Sequence, residues 1–288
     1  MKHLQDFFNF AKERQQILLR RRAGEPAPWT RDPILQQYRF CNVYREDDTV
    51  TQWFRTHLRD PLRENSIRVI LATIAFRWFN FIPSGEALKE MLLAGDWDLE
   101  EARRALRRVR TAHGQVVTGA FVVHSPNGRG LDKIDGLTWC IDQVKRMRFE
   151  LRANIYQGTL EHAHNTLLVA RIDSLGPFMA YEIVTDLRHT DVLCRAPDIC
   201  SWASAGPGAA RGLAWVEHGN LDKVEGYGGK AARSRMNAQM GDILQASREL
   251  WPAHLGPSWE MREVEHTLCE FDKFRRAQTG QRLKRKFR

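Results

Sequence analysis

The stretch Leu167-Leu-Val-Ala-Arg-Ile-Asp-Ser-Leu-Gly-Pro-Phe-Met-Ala-Tyr-Glu-Ile-Val-Thr-Asp-Leu187 has the grammar of two short helices joined by a tight turn. An apolar helix ends near Ile172, and Asp173-Ser174-Leu175-Gly176 makes the turn. Pro177 then stands where a second helix begins, a position at which its missing N–H costs nothing. Met179, Ala180, Ile183, Val184 and Leu187 follow at helical spacing. Gly176 is expected to supply backbone freedom and room for a ligand to approach. Free N–H groups at the start of the second helix would then receive a phosphate, which positions DNA without reading its sequence. The plain alternative is an ordinary helix–turn–helix packing unit.

The rest of the chain favours the first reading. It has 288 residues, 44 Lys plus Arg against 35 Asp plus Glu, and a net charge of +9. Such an excess suits a polyanion, either nucleic acid or an acidic membrane surface. The 43% hydrophobic and 27% charged fractions are globular values. Five cysteines with no CxxC pair argue against a disulfide framework and a four-cysteine zinc site. The histidines show no metal spacing, so no metal is expected. Residues 1–22 are charged throughout and lack the apolar core of a signal peptide. Residues 69–82 are interrupted by Arg77 and Asn80 and are too short to span a bilayer. A cytoplasmic protein with no membrane association is expected.

Helical periodicity dominates elsewhere, so the fold class is mainly α, with little or no β-structure. Helices are expected over residues 2–22, from Asp32-Pro33 towards Tyr44, from Asp47 or Asp48 to Leu58, and over 66–81 as the central buried helix. Ser84 is expected to cap a helix ending near Gly95, and Asp98 a basic one over 99–113. Residues 115–130 are the least helical, and Val116 to Val123 suit a short strand or extended loop. Further helices are expected over 131–152, 159–172, 233–250 and 259–276, with a Gly-rich stretch at 206–229. The chain reads as a single helical domain, with a possible two-lobed split near 115–130. The helix–hairpin–helix covers 160–188 and a basic tail 280–288.

The hairpin resembles the helix–hairpin–helix of the base-excision DNA glycosylase superfamily, roughly Leu-x-Gly-x-Gly-x-x-Thr-Ala. Ser174 stands in place of the first glycine. Phe178 stands where a lysine nucleophile would be, which disfavours lyase chemistry. The resemblance implies an aspartate about twenty residues beyond the hairpin. Asp198 fits, with Asp191 the nearby alternative; a helix N-cap is the plain reading of either.

Four further motifs narrow the family. They are Pro33-Ile-Leu-Gln-Gln-Tyr-Arg-Phe-Cys-Asn-Val-Tyr-Arg45, Phe76-Arg-Trp-Phe-Asn80, Ala205-Gly-Pro-Gly-Ala-Ala-Arg-Gly-Leu213 and Val264-Glu-His-Thr-Leu-Cys-Glu-Phe-Asp-Lys273. Together they resemble the phage α-glutamyl/putrescinyl thymine pyrophosphorylases, also described as amino acid:DNA transferases. The helical domain of 5-hydroxymethyluracil DNA kinases has similar motifs. The resemblance implies glycosylase-like architecture and host cytoplasm as the setting. It also implies a functional link to a 5-hydroxymethyluracil DNA kinase, and double-stranded DNA carrying 5-hydroxymethyluracil derivatives as substrate. An amino acid or amine, glycine being one candidate, would displace pyrophosphate from the modified base. A divalent or monovalent cation is left open. A monofunctional glycosylase and a noncatalytic DNA-binding module are the alternatives.

That chemistry needs an extruded base, cations for the leaving pyrophosphate, and a carboxylate to take a proton from the amine. Asp198, Asp186 and Glu265 are the candidate carboxylates. Tyr38, Arg39, Asn42, Tyr44 and Arg45 mix aromatic, amide and guanidinium groups suited to a base and a phosphate, though Tyr38, Phe40 and Tyr44 also suit a core. Arg77 and Asn80 either line a pocket or satisfy a core carboxylate. Gly206, Gly208 and Arg211 look like a flexible phosphate cradle. Glu265, Asp272 and Lys273 lie along one helix, where a solvated face is the plain reading. Leu175, Gly176 and Phe178 would touch DNA at the hairpin. No GxxxxGK[ST] occurs, so this chain alone should not be a P-loop kinase.

Overall fold

The computed structural model describes residues 1–119, 131–226 and 228–283. Twelve α-helices run through them, with short 3-10 and π segments, and no β-strand occurs among the described residues. Phe121 to Val123 of the expected strand, and residues 284–288 of the basic tail, lie outside the described residues. The chain divides into two compact units, one from residues 1–48 and 199–288, the other from 49–198. The division falls at 48/49 and 198/199, not near 115–130.

The 49–198 unit is built around α4 (Ser66–Phe79), in which every residue from Val69 to Phe79 is buried. Asn65 caps its first turn, and Asn80 closes it in the left-handed region with φ 43°. Around it lie α3 (Thr49–Phe54), a π turn (Arg55–Arg59), α5 (Ile82–Ala94), α6 (Leu99–His113), α7 (Lys133–Ile155), α8 (Leu160–Val169) and α9 (Pro177–Leu187). α4 packs on α5, α7 and α9. Asp98 caps α6 through the Glu101 N–H, as its position suggests. Ser84 does not cap α5. It sits buried inside that helix and donates to the Val116 carbonyl at 2.7 Å, tying down the chain beyond α6.

The other unit joins the two ends of the chain. It contains α1 (Leu4–Arg22), α2 (Pro33–Gln37), α10 (Pro207–His218), α11 (Lys230–Leu250) and α12 (Met261–Gln278). Asp32 caps α2, with Pro33 at its first position. Phe7, Phe8 and Phe10 of α1 pack edge-on or tilted against Trp259, Phe271 and Phe274. The most extensive helix contact is α10 on α12. It depends on small residues: a Cβ on Gly212 would lie 2.3 Å from the Leu268 carbonyl oxygen, and one on Gly208 would lie 2.9 Å from Cys269 Sγ. The expected flexible loop at 206–212 is thus mostly helix, because Pro207 starts α10 and two glycines on one face let it press against α12.

Candidate functional site: two clusters of buried charge

The residues expected to form one site are divided between the two units. In the 49–198 unit, Arg77 is 2% exposed and Asp186 fully buried. Arg77 grips Asp186 with Nε at 2.5 Å and Nη2 at 2.9 Å. Its Nη1 donates to Asn80 Oδ1 at 2.7 Å and its Nη2 to Thr51 Oγ1 at 3.2 Å. The rings of Phe54 and Phe76 lie against the guanidinium, at 5.0 and 5.6 Å. Of the two readings of Arg77 and Asn80, the core carboxylate is what the structure contains. Such a charge inside an apolar helix is tolerated because it is paired and hydrogen-bonded.

Asp198 caps the start of α8. Its two oxygens accept the backbone N–H groups of Leu160 and Glu161, at 2.7 and 3.0 Å, beside the Thr159 cap. This is the plain reading given above for an aspartate at that distance.

In the stretch expected to form the hairpin, α8 and α9 flank a turn. Gly176 is the N-cap of α9, and no side chain caps that helix start. Its backbone is extended, at φ −93° and ψ 179°, which any residue adopts. The left-handed positions of the turn are Arg171 and Ser174, at φ 50° and 63°. The expected special geometry therefore sits two residues earlier, at Ser174. A Cβ on Gly176 would meet nothing within 4 Å, so the helix start is open. Leu175 is buried and Phe178 is 54% exposed.

In the other unit, α12 meets the segment 38–48 and gathers charge. Arg14 of α1 donates to the Phe40 carbonyl and to Asn42 Oδ1 at 2.8 Å. Asn42 in turn donates to Asp48 at 2.8 Å. Burial pushes the Asp48 carboxyl up, against the pull of Arg45 and Asn42. Glu270 accepts the Cys41 N–H at 2.9 Å and pairs with Lys273 at 3.0 Å. Burial raises Glu270, but Lys273 and that N–H more than offset it and hold the carboxyl below its ordinary value. Lys273 also reaches the Arg39 carbonyl and lies 5.0 Å from the Phe40 ring. Arg39 itself is exposed and Arg45 is buried.

One turn along α12, Glu265 pairs with Arg262 at 2.9 Å and accepts the Cys269 thiol at 3.4 Å. Burial together with Glu265 keeps that thiol protonated, well above its ordinary pKa. His266 Nε2 is buried without a hydrogen-bond partner. Burial, with Arg262 and Arg45 beside it, lowers its pKa to about 3, so the ring is neutral.

Asp272 faces α10. It is 1% exposed and receives Arg211 at 3.0 Å, Trp215 at 3.3 Å and Arg276 at 3.1 Å. Arg211 and Asp272 thus pair with each other. Tyr38 and Tyr44 are buried. The Tyr44 hydroxyl donates to the Pro257 carbonyl at 2.5 Å, and its ring fills the space over Gly256. Asn42, Arg45, Glu265 and Lys273 therefore belong with Arg14, Asp48, Arg262, His266 and Glu270. Arg14 and Arg262 were not foreseen; a cation on the apolar face of α1 was the available signal. No group of metal-ligating side chains occurs among the described residues. No helix among them is long and apolar enough to cross a membrane.

The family described as "5-hmdU DNA kinase, helical domain" matches residues 1–283. The chain belongs to that family. A curated relative, the 5-hmdU DNA kinase of Bacillus phage SP10, is 26% identical over 235 residues. That alignment covers 74% of this chain and 36% of the relative, so the chain spans about a third of that protein's length. No solved structure matches the chain.

Proposed function

We propose that this chain is an amino acid:DNA transferase acting on pyrophosphorylated 5-hydroxymethyluracil in DNA. The observation that carries the reading is the α12 cluster, where Arg14, Arg45, Arg262 and Lys273 gather around Asp48, Glu265 and Glu270. Cations held before the reaction stabilise negative charge on a departing pyrophosphate without reorganising. In the transfer, the amine nitrogen bonds to the methylene carbon on the base. The carbon–oxygen bond to pyrophosphate breaks, and its electron pair leaves with the pyrophosphate. The surplus amine proton passes to a carboxylate. Of the three candidates Glu265 is the one that lies in this cluster, whereas Asp186 pairs with Arg77 and Asp198 caps α8. Separately, in the 49–198 unit, the start of α9 carries no side-chain cap and would suit a DNA phosphate.

The test is incubation of the full chain with such DNA and a panel of amines that includes glycine and putrescine. The DNA is then digested and its nucleosides weighed. The expected product is an aminated thymidine. Glu265→Gln should lower its rate about 10²–10⁴-fold, the range for loss of a general base. No new nucleoside across the panel overturns the proposal, and release of free base would instead mark a glycosylase.

A second reading is favoured by the match to a kinase of which this chain covers about a third. Here the chain is a DNA-gripping module that serves a kinase partner. It predicts salt-sensitive DNA binding with unchanged nucleosides.

A further inference from the structure

One flank of α7 carries Lys145, Arg148, Phe149 and Arg152 at helical spacings that place them side by side, with Tyr156 at the helix C-cap. None of the three cations has a carboxylate within ion-pairing distance among the described residues. Lys145 donates to the Trp97 carbonyl, Arg148 to the Lys145 carbonyl and Arg152 to Ser66 Oγ. Asp142, on the same helix, pairs with Arg146. The contrast with α6 is informative, because its Arg103, Arg107 and Arg110 are paired with Asp135 and Asp132.

Two of the α7 cations lie over aromatic rings. The Arg148 guanidinium is 4.4 Å from the Phe149 centroid, and that of Arg152 is 4.1 Å from the Tyr156 centroid. Phe149 nevertheless remains 58% exposed. A solvent-exposed ring with a cation already stacked on it leaves apolar surface for another flat group. Uncompensated positive charge alternating with such rings is the composition of a platform for unstacked nucleotides. The cations follow the phosphates and the rings receive bases of any sequence.

We propose that the α7 flank binds single-stranded or locally unpaired DNA, with Phe149 as its principal stacking ring. The proposal rests on the reading of the chain as a DNA-modifying enzyme, which needs an unpaired nucleotide. It adds a surface distinct from the α9 helix start, which suits a backbone phosphate.

The test is fluorescence anisotropy of the full chain against a labelled thymine oligonucleotide and against a fully paired duplex, with variants compared at a fixed salt concentration and slopes read over a salt series. Phe149→Ala should weaken single-strand binding about tenfold, within the range for loss of one stacked base. Duplex binding should stay within about twofold, and Phe149→Tyr should bind like the parent. Arg148→Ala should reduce the salt slope of single-strand binding by about 0.7. Circular dichroism checks that each variant folds.

Unchanged single-strand affinity in Phe149→Ala, or an equal loss for both DNA forms, overturns the platform and leaves the transferase reading intact. Single-strand binding that depends on Phe149, without any base conversion, supports the platform while the transferase reading fails. A parent chain that binds neither DNA form overturns both.

Discussion

Arg77 and Arg262 are both guanidinium groups held among helices, each with an acidic partner three ångströms away or less. Their surroundings differ. Around Arg77 the guanidinium is held by the Asp186 carboxylate, the Asn80 amide and the Thr51 hydroxyl, with the Phe54 and Phe76 rings against it. Around Arg262 the charges run on through Glu265, Glu270, Lys273, Asp48 and Arg14, and a neutral imidazole nitrogen lies among them without a partner. A closed pair holds helices together, whereas an open array with an unused polar atom has capacity left for something that is not protein. That difference is why the α12 cluster, and not the more deeply buried Arg77 pair, is the better candidate for chemistry.

The strongest way to break the comparison is Asp186→Asn. It removes the carboxylate that pairs with the buried Arg77 through two hydrogen bonds, which should cost about 3–5 kcal/mol of stability. Urea unfolding measures it. The double variant Arg77→Met with Asp186→Leu should recover much of that loss, because neither charge then remains buried. A cost below about 1 kcal/mol for Asp186→Asn would mean that the Arg77 charge is solvated, which returns Asp186 to the candidate bases.

The α12 cluster is sharpened by pH. His266 is held neutral down to about pH 3, against an ordinary value of 6.5. Below 6.5 the unfolded chain therefore takes up a proton that the folded chain refuses, and stability falls with pH. Each such proton contributes a slope of up to about 1.4 kcal/mol per pH unit. Glu263, half-buried beside it on α12, works in the opposite direction. Burial raises its carboxyl from 4.5 to about 7, so the folded chain keeps a proton that the unfolded chain has lost. That contribution is complete below 4.5 and disappears as pH rises through about 7. Between 4.5 and 6.5 the two slopes oppose one another. His266→Gln should remove one of them, so that stability rises as pH falls across this window. Urea midpoints at both ends of the window decide it. Parallel curves for parent and variant would place His266 in contact with water.

Local features of the fold were legible because they are written in consecutive residues. The largely apolar run of α4, the Asp98 and Asp32-Pro33 caps and the helices α8 and α9 each follow from a short window. The two-unit division was not, because α1 packs on α10 and α12 from the opposite end of the chain, and periodicity says nothing about partners that distant. The same holds for the site. Asn42, Arg45, Glu265 and Lys273 were recognisable as chemistry-bearing residues, but only the packed helices bring Arg14 to Asn42. The Gly206-Pro-Gly208 stretch misled because glycine reads equally as freedom and as thinness. Here Gly208 and Gly212 are thin places where α10 meets α12.

The hairpin glycine offers the smallest effect and the cleanest separation of stability from binding. At Gly176 the backbone is extended and the space around a new methyl is empty, so Gly176→Ala meets no internal clash. Glycine is preferred to alanine at a helix N-cap, so thermal unfolding should show a loss of about 0.5–1 kcal/mol. If a duplex phosphate approaches the start of α9, that methyl stands in its path. Duplex affinity should then fall roughly fivefold, the value of about one hydrogen bond, in anisotropy at fixed salt. An affinity that does not move would show that DNA does not approach this helix start. The hairpin would then be a packing unit of the 49–198 unit, as closed in its function as the Arg77 pair beneath it.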